Sequence, residues 1–497
     1  MSKKELKAMR KISWWNCLTI LLCAILFSYG TGAFAEEPGW AERLSQVEGV
    51  LSVESIPLNA SAQFFSEKYL VVFEQPLDWD HPEKGVFPQR VEIGLKEDAQ
   101  TTVLETNGYA LPDQYPGATG TLAELGRDDA TEIAQLFGAN YVNVEHRFFG
   151  KSRPADMSNG DTRYWEYHTA ENAAKDYHRI YLALSPLLGD AWAATGSSRG
   201  GEMTNVYAYF FPEDMRCFVP YVAPCSMGPE DPRFYTFLYT EIGNEAFGPE
   251  QAESMRNLIL DFQVELMKNK AALLPVFETM ALQAMNCVFQ GQVPIDQVYD
   301  LNVLEFAVQF WQYQSISFDV LRAILDMPES TPEEALEKAQ TEFNLLLQVQ
   351  APADWSSNFM AWPYYVNAAT TYGQYHYDFT YLRQALAAAG MEDTLSVTED
   401  MEDGLLWRLV FTEAQREAFA YDGSFAASLA AFEETTGAKI LMVFGASDPW
   451  ISLRIPETSN PNVAVFVHPT APHSANISSM PEGIRSEAVG ILKGWLQ

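Results

Sequence analysis

The sequence has little positive charge. Its 497 residues contain 32 Lys and Arg against 66 Asp and Glu, so the formal net charge is −34. A protein that binds nucleic acid through the phosphates needs a basic surface, so no nucleic-acid partner is expected. The acidity does not indicate disorder, because 47% of the residues are hydrophobic and 13% are aromatic. The composition is that of a globular protein with a large core.

Cysteine and metal-binding patterns are also scarce. The chain has five cysteines, which excludes a fold held by a disulfide framework. If one bridge forms, we expect it between Cys225 and Cys287, because a predicted extended strand separates Cys217 from Cys225. Buried free thiols are the alternative. The sequence contains no H-E-x-x-H or clustered Cys/His pattern, so we expect no metal and no other cofactor.

Only one long apolar run occurs, at the N-terminus. Residues 12–35 carry no charge, follow five basic residues, and end in Gly32-Ala33-Phe34-Ala35, which has the A-x-A form of a cleavage site. We predict a signal peptide over 1–35, and therefore a secreted or periplasmic protein with no membrane segment after cleavage. The uncharged run is long enough for an uncleaved anchor, which is the alternative.

The chain after the signal alternates between strand and helix patterns. Strand-like runs occur at 69–73, 90–93, 102–105, 140–144, 191–195 and 217–222, and helical periodicity at 131–137, 169–185 and 201–211. This alternation is typical of a mostly parallel sheet covered by helices on both faces. The first two runs, joined by a loop, predict an antiparallel hairpin that leads into the sheet.

A long helical segment interrupts this alternation. Helical patterns dominate from about residue 225 to 437, for example at 249–268, 271–289 and 331–347, before strand patterns return at 439–444 and 463–467. A helical block between two parts of one sheet indicates a cap. We therefore predict an α/β domain built from 36–224 and 437–497, with an inserted helical cap domain at 225–436.

One motif indicates a nucleophile. The strand at 191–195 runs into Gly196-Ser197-Ser198-Arg199-Gly200-Gly201 and then into a helix. This is the G-x-S-x-G strand–turn–helix, in which a tight turn exposes the serine hydroxyl and leaves room only for glycine nearby. We predict Ser198 as the nucleophile, with Ser197 facing away from the site.

A serine nucleophile needs a base, and the base needs a carboxylate. In this arrangement the partners follow later strands in the order Ser, Asp, His. Asp448 is the only acid in the loop after the strand at 439–444, and His473 follows the strand at 463–467. His468 is the competing base, but it lies too close to the strand end, so we predict the triad Ser198, Asp448 and His473.

Two backbone N–H groups are needed to stabilise a tetrahedral intermediate. We expect one from Arg199, the residue after the nucleophile, and the other from Tyr109, where Gly108 lets the loop turn inward. Glu145 and Arg147, which follow the strand at 140–144, are interpreted as a buried ion pair that braces this loop.

These motifs together resemble the secreted bacterial tri- and tetrapeptidyl aminopeptidases, which are serine peptidases of the α/β-hydrolase fold. A related group, the lysosomal Pro-X carboxypeptidases and dipeptidyl peptidases, fits less well. The matching segments are Gln75-Pro-Leu-Asp78, Gly85-x-Phe87, Asn107-Gly-Tyr109, Glu145-His-Arg-Phe-Phe-Gly-Lys-Ser152-x-Pro154, Ala174-x-Asp176-x-His178, Trp192-x-x-Thr195-Gly-x-Ser-Arg-Gly-Gly201, Tyr221-Val-Ala-Pro224 and Gly445-x-x-Asp448-Pro-Trp450.

The resemblance implies an α/β-hydrolase fold and a peptidase that releases short peptides from free N-termini, often after proline. Peptides are then the expected partners. Members of the family tend to carry an acid in a Thr-Glu-x-Gly element late in the cap, whereas this chain has Thr370-Thr371-Tyr372-Gly373. If that acid binds the substrate's ammonium group, Glu202 or Glu241 is the candidate replacement for substrate binding.

The sequence therefore predicts an exported serine exopeptidase that works through an acyl-enzyme. An esterase or lipase with the same machinery is the alternative, because specificity resides in the cap. A catalytically idle binding protein of the same fold is the third. The sequence leaves open the oligomeric state, the residue before the cleaved bond and the number of residues released.

Overall fold

The computed structural model describes residues 38–60, 62–115, 117–127, 130–158, 162–284, 292–351 and 362–496. The predicted signal peptide and Cys287 lie outside the described residues. The chain divides into two units, 1–43 and 44–497. The described part of the first unit contains the beginning of the helix Trp40–Ser45. Everything below concerns the second unit.

One large sheet forms the centre of the second unit. Within the described residues nine strands are hydrogen-bonded in the order β1-β2-β3-β5-β4-β6-β7-β10-β11. Their bounds are β1 Val50–Ser55, β2 Glu67–Pro76, β3 Val86–Leu95, β4 Thr102–Thr106, β5 Asn140–Val144, β6 Trp192–Ser197, β7 Cys217–Tyr221, β10 Ile440–Gly445 and β11 Val463–His468.

The strand directions confirm the predicted fold class. The pairs β1–β2, β2–β3 and β3–β5 are antiparallel, and every pair from β5 through β4, β6, β7 and β10 to β11 is parallel. β5, β7 and β10 are buried along their whole length, as expected for strands covered on both faces. The edge strand β1 was not predicted, because it is half-exposed and has no apolar alternation.

Helices cover the sheet where the periodicity predicts them. Thr131 and Thr169 cap the first two by accepting the N–H of Ala134 and Asn172. The third, which begins directly after Ser198, packs against β6 and β7. The bounds of the four helices on this part of the chain are Glu132–Phe137, Ala170–Leu188, Arg199–Phe210 and Glu482–Leu496.

The chain between β7 and β10 is mainly helical. Two short strands, β8 Glu230–Asp231 and β9 Gln374–Tyr375, pair in parallel within it. The exact limits of a separate cap domain stay a prediction; the name cap is kept here for the helical segment between β7 and β10. Its helices are Arg233–Thr240, Asn244–Phe247, Pro249–Lys268, Lys270–Ala284, Ile295–Tyr313, Phe318–Leu325, Pro332–Val349, Trp362–Asn367, Thr380–Ala388, Glu399–Glu402, Leu405–Val410, Glu413–Ala418 and Ser424–Thr435, with a π-helical turn at Ala368–Tyr372.

One long helix of the cap lies inside the core. Ile295–Tyr313 is buried on nearly all sides, which is the pattern of a helix inside a large protein. Among the described residues, no helix combines the length and the apolar character needed to cross a membrane.

Cys217 and Cys225 are buried free thiols, and burial raises the pKa of each to about 12.

Candidate active site

Ser198 occupies a strained turn between β6 and the helix Arg199–Phe210. Its φ of 57° and ψ of −123° lie in a region that non-glycine residues rarely adopt. The turn leaves no space for side chains on its flanks: a Cβ on Gly196 would lie 2.3 Å from the Gly200 oxygen, and one on Gly201 would lie 2.5 Å from the Tyr221 oxygen. The glycines of the motif are therefore required by close backbone approach.

Asp448 and His473 form a hydrogen-bonded pair at the ends of β10 and β11. His473 Nδ1 lies 2.7 Å from Asp448 Oδ2, and Asp448 is fully buried. The buried Nε2 of His473 has no hydrogen-bond partner in the described part of the chain. The Glu132 carboxylate holds the following loop by accepting the N–H groups of Ile477 (2.9 Å) and Ser478 (2.5 Å). The imidazole thus has one nitrogen fixed by a carboxylate and the other open to a reacting group.

The competing histidine is used structurally. His468 ends β11, its Nε2 lies 3.0 Å from the Ser479 oxygen, and its Nδ1 accepts the N–H groups of Thr470 and Ala471. Both ring nitrogens of His468 are therefore engaged with backbone groups, Nδ1 before His473 and Nε2 after it.

The loop 107–109 packs directly on the turn that carries Ser198. A Cβ on Gly108 would lie 2.7 Å from the Arg199 carbonyl carbon. Arg199 is the first helical residue, so its N–H makes no intrahelical bond. The Tyr109 N–H, the other expected oxyanion donor, donates to Asn107 Oδ1 at 2.8 Å. It can serve an oxyanion only by sharing or exchanging that bond.

Ser198 and His473 line the same cavity, of about 320 Å³, here named the Ser198 cavity. Much of its wall is aromatic and comes from the cap or from the loop after β10. These wall residues include Gln312, Tyr313, Tyr364, Tyr372, Gln374 and Trp450. Tyr372 and Trp450 lie in segments compared with the family above, whereas no local motif marks the others.

The Arg199 side chain connects the sheet with the cap, which the sequence analysis did not foresee. Its Nε donates to the Gly108 oxygen at 2.9 Å, and its Nη2 donates to Asn367 Oδ1. The guanidinium also lies 5.4 and 5.3 Å from the ring centres of Tyr364 and Tyr372, within cation–π range.

Of the two glutamates considered for substrate binding, only Glu202 lies in the Ser198 cavity. It is buried, and its Oε2 is 3.4 Å from Arg199 Nη1. Burial raises its pKa to about 8, and the Arg199 charge opposes this shift. Glu241 is exposed and lines a different cavity, of about 890 Å³, which contains none of Ser198, Asp448 and His473. The structure does not bring Glu241 to the site.

Glu145 and Arg147 were expected to form an ion pair with each other, but the structure gives each of them another partner. Arg147 donates from Nε (2.8 Å) and Nη2 (2.7 Å) to the two oxygens of Asp176. Glu145 accepts from Arg90 Nη1 at 3.2 Å and from the Leu111 N–H at 2.8 Å. Both side chains are buried, but each has its own partners. Only Glu145 contacts the segment that follows Tyr109, through the Leu111 N–H.

One group of side chains has metal-ligand chemistry. Among the described residues, ligand atoms of Glu230, His376 and Asp403 lie within 4.8 Å of one another. The Glu230 carboxylate already accepts the Gly404 N–H at 3.0 Å, and hydrogen bonding to Glu230 raises the pKa of His376. None of the three lines the Ser198 cavity, so no ion is assigned here.

Comparison with known proteins gives one curated relative and several solved structures. The prolyl tri/tetrapeptidyl aminopeptidase of Streptomyces mobaraensis is 30% identical over 275 residues, which cover 55% of this chain and 50% of that protein. The chain thus spans about half the length of this relative.

The solved structures are more distant. A proline iminopeptidase of Mycobacterium smegmatis is 12% identical, with a TM-score of 0.31, and the match covers 86% of this chain and 98% of that one. An α/β-hydrolase fold protein of Nakamurella multipartita is 12% identical, with a TM-score of 0.32, and the match covers 85% and 99%. Likenesses of this strength say nothing about substrate.

The family profile covers most of the chain. The profile described as PS-10 peptidase S37 matches residues 39–396, which includes the strained turn at Ser198 and most of the cap. Together with the sheet topology and the relative described above, this match confirms the resemblance noted from the motifs. The chain belongs to the PS-10 peptidase S37 family of serine peptidases.

Proposed function

We propose that this protein is an exported serine exopeptidase that releases short peptides from the free N-termini of peptide substrates, with Ser198, Asp448 and His473 as its triad. The observation that carries the proposal is the arrangement around the Ser198 cavity: a strained serine at a helix start and a histidine fixed by a buried carboxylate line one space. Residues 1–35 are proposed to direct export to the periplasm or the exterior.

The proposed reaction begins with proton transfer. His473 Nε2 takes the proton of Ser198 as its oxygen attacks the carbonyl carbon, and Asp448 holds the imidazole in the tautomer with Nδ1 protonated. The N–H groups of Arg199 and Tyr109 stabilise the oxyanion, the latter after its bond to Asn107 is shared or released. His473 then protonates the leaving amine, and a water activated by the same nitrogen frees the acyl fragment.

The cap supports a peptide as the substrate. Tyr364, Tyr372 and Trp450 give the Ser198 cavity aromatic walls, which suit the apolar ring of proline. Glu202 is proposed as a substrate contact beside the nucleophile. With its pKa raised to about 8, it is largely protonated at pH 7 and can donate a hydrogen bond.

The test is mass-spectrometric cleavage profiling of a defined peptide mixture. The wild-type protein and Ser198→Ala are run in parallel, with every peptide offered with a free and with an acetylated N-terminus. We expect short peptides to be released only from free N-termini and only by the wild type. Mass analysis of the exported protein checks cleavage after Ala35.

The other outcomes identify the alternatives. Hydrolysis of simple esters through Ser198 without any peptide cleavage would make the protein an esterase. Failure of Ser198 to react with a fluorophosphonate would point to a binding protein that keeps the fold.

A further inference from the structure

A second cavity adjoins the Ser198 cavity under the cap. It has a volume of about 550 Å³ and is here named the Glu305 cavity. Six residues line both cavities, so the two lie side by side between the nucleophile and the cap. The shared residues are Tyr109, Gln312, Tyr313, Tyr364, Gln374 and Trp450.

The lining of the Glu305 cavity suits an extended peptide. Side-chain amides come from Gln309, Gln348 and Gln374, and aromatic rings from Tyr365 and Tyr377. Amides both donate to and accept from a peptide backbone, and the rings pack against side chains. A purely apolar ligand would leave these side-chain amides without hydrogen-bond partners, and each unpaired amide would weaken binding.

Among the described residues that line this cavity, Glu305 carries the one carboxyl group. Glu305 is 3% exposed, its Oε1 accepts the hydroxyl of Tyr235 at 2.7 Å, and its Oε2 accepts that of Tyr375 at 2.9 Å. Glu305 therefore places a carboxyl group, held by two tyrosine hydroxyls, in a cavity lined mainly by amides and aromatic rings.

The position of Glu305 along its helix gives its distance from the proposed reacting groups. Glu305, Gln309 and Gln312 lie on one face of the helix Ile295–Tyr313. The Gln312 carbonyl accepts the backbone N–H of His473 at 3.0 Å, so this end of the helix lies at the reacting groups. Seven residues of helix separate Glu305 from Gln312 by about 10 Å, which an extended peptide spans with about three residues.

Glu202 is a poorer site for a cation. It lies four residues after Ser198, or about 6 Å along the helix, which leaves room for one or two residues. The Arg199 guanidinium beside it, at 3.4 Å, would repel an ammonium group. With its pKa raised to about 8, Glu202 also carries little charge at neutral pH.

We propose that Glu305 binds the N-terminal ammonium of the substrate and thereby sets the released fragment at about three residues. This inference rests on the proposed function, because it assigns one end of the same substrate. Glu305 holds the ammonium, the amides hold the extended backbone, and the carbonyl of about the third residue reaches Ser198.

The first test compares Glu305→Gln with Glu342→Gln. Glu342 is also buried in the cap but lines neither cavity, so it is a matched control. For Glu305→Gln we expect kcat/KM on free-N-terminal peptides to fall about 30- to 100-fold, mainly through KM. The preference for free over acetylated N-termini should disappear, while hydrolysis of a small phenyl ester, which does not reach Glu305, stays within about twofold.

The second test needs only the wild-type protein. Peptides of one to four residues ending in proline are compared as inhibitors, each with a free and with an acetylated N-terminus. We expect acetylation to weaken inhibition by peptides of three or four residues and to have no effect on shorter ones. This result does not depend on whether the Glu305 variant folds.

Two results would overturn the inference. One is an unchanged preference for free N-termini in Glu305→Gln with intact ester hydrolysis; the other is an effect of acetylation on one- or two-residue inhibitors, which would place the ammonium at Glu202. Both leave Ser198-dependent peptide release in place. If the wild type cleaves no peptide, it is the proposed function that fails.

Discussion

The two sides of the Ser198 cavity are built differently. On the sheet side, backbone groups touch each other so closely that only glycine fits, as at Gly108 and Gly196, and buried ion pairs such as Arg147 with Asp176 brace the loops. On the cap side, the wall consists mainly of tyrosine and glutamine side chains. The sheet side holds the proposed triad within narrow limits, whereas the cap side offers the surfaces that are proposed to recognise a substrate.

Two of the contacts that join these regions lie at Arg199 and His473. The Arg199 side chain bonds to the Gly108 oxygen on the sheet side and to Asn367 on the cap side. The His473 N–H donates to the Gln312 oxygen at the end of a cap helix. The cap therefore contacts both the residue after the nucleophile and the proposed base, so a shift of the cap changes the site as well as access to it.

The largest expected effect comes from a change on the sheet side that preserves shape. Asp448→Asn keeps an oxygen that can accept the Trp450 N–H, as Asp448 Oδ1 does at 3.1 Å, but an amide cannot stabilise the imidazolium of His473. We expect kcat to fall about 10⁴-fold with normal thermal stability, measured by steady-state kinetics. Asp319→Asn, an exposed cap residue, serves as the control. A loss below tenfold would refute the triad assignment.

A smaller effect, on stability, tests the bracing of the sheet loops. Arg147→Met leaves the buried Asp176 without its cation, and Arg147 also donates to the Leu77 and Tyr167 oxygens at 2.9 and 2.7 Å. We expect the free energy of unfolding to fall by about 3–5 kcal/mol, measured by urea denaturation. Arg163→Met removes an ion pair at an exposed site and should cost less than about 1 kcal/mol. Equal losses would show that burial of the Arg147 pair is not what braces the loops.

The difference between the sheet side and the cap side also explains which features the sequence could predict. The buried strands and the turn at Ser198 are local patterns, because burial on both faces requires apolar runs and a tight turn requires glycine. The half-exposed strand β1 has no such pattern. The cap lining has none either: Tyr364 and Gln312 acquire their role from packing between distant segments. The bridging role of Arg199 was missed for the same reason, since its partner Asn367 lies 168 positions away.

A third expected effect, on the pH dependence of stability, concerns Glu202, which lies on the sheet side and faces the cap. Burial raises its pKa from 4.5 to about 8, so between these values the native state holds a proton that the unfolded state has released. The associated stability is fully present below pH 4.5 and is lost as the pH rises through about 8. Glu202→Gln cannot ionise, so this contribution to the pH dependence should disappear.

The measurement is urea unfolding of the wild type and Glu202→Gln at pH 5, 6.5 and 8. Relative to the variant, the free energy of unfolding of the wild type should fall by up to about 1.4 kcal/mol per pH unit over this range, since one proton is involved. Glu241→Gln, at an exposed position in the other cavity, is the matched control. Parallel curves for the wild type and Glu202→Gln would mean that Glu202 is ionised in the native state, paired with Arg199. Glu202 would then be available as an anion beside Ser198. Only the fragment length and the repulsion by Arg199 would then favour Glu305 over Glu202 as the group that binds the substrate's ammonium.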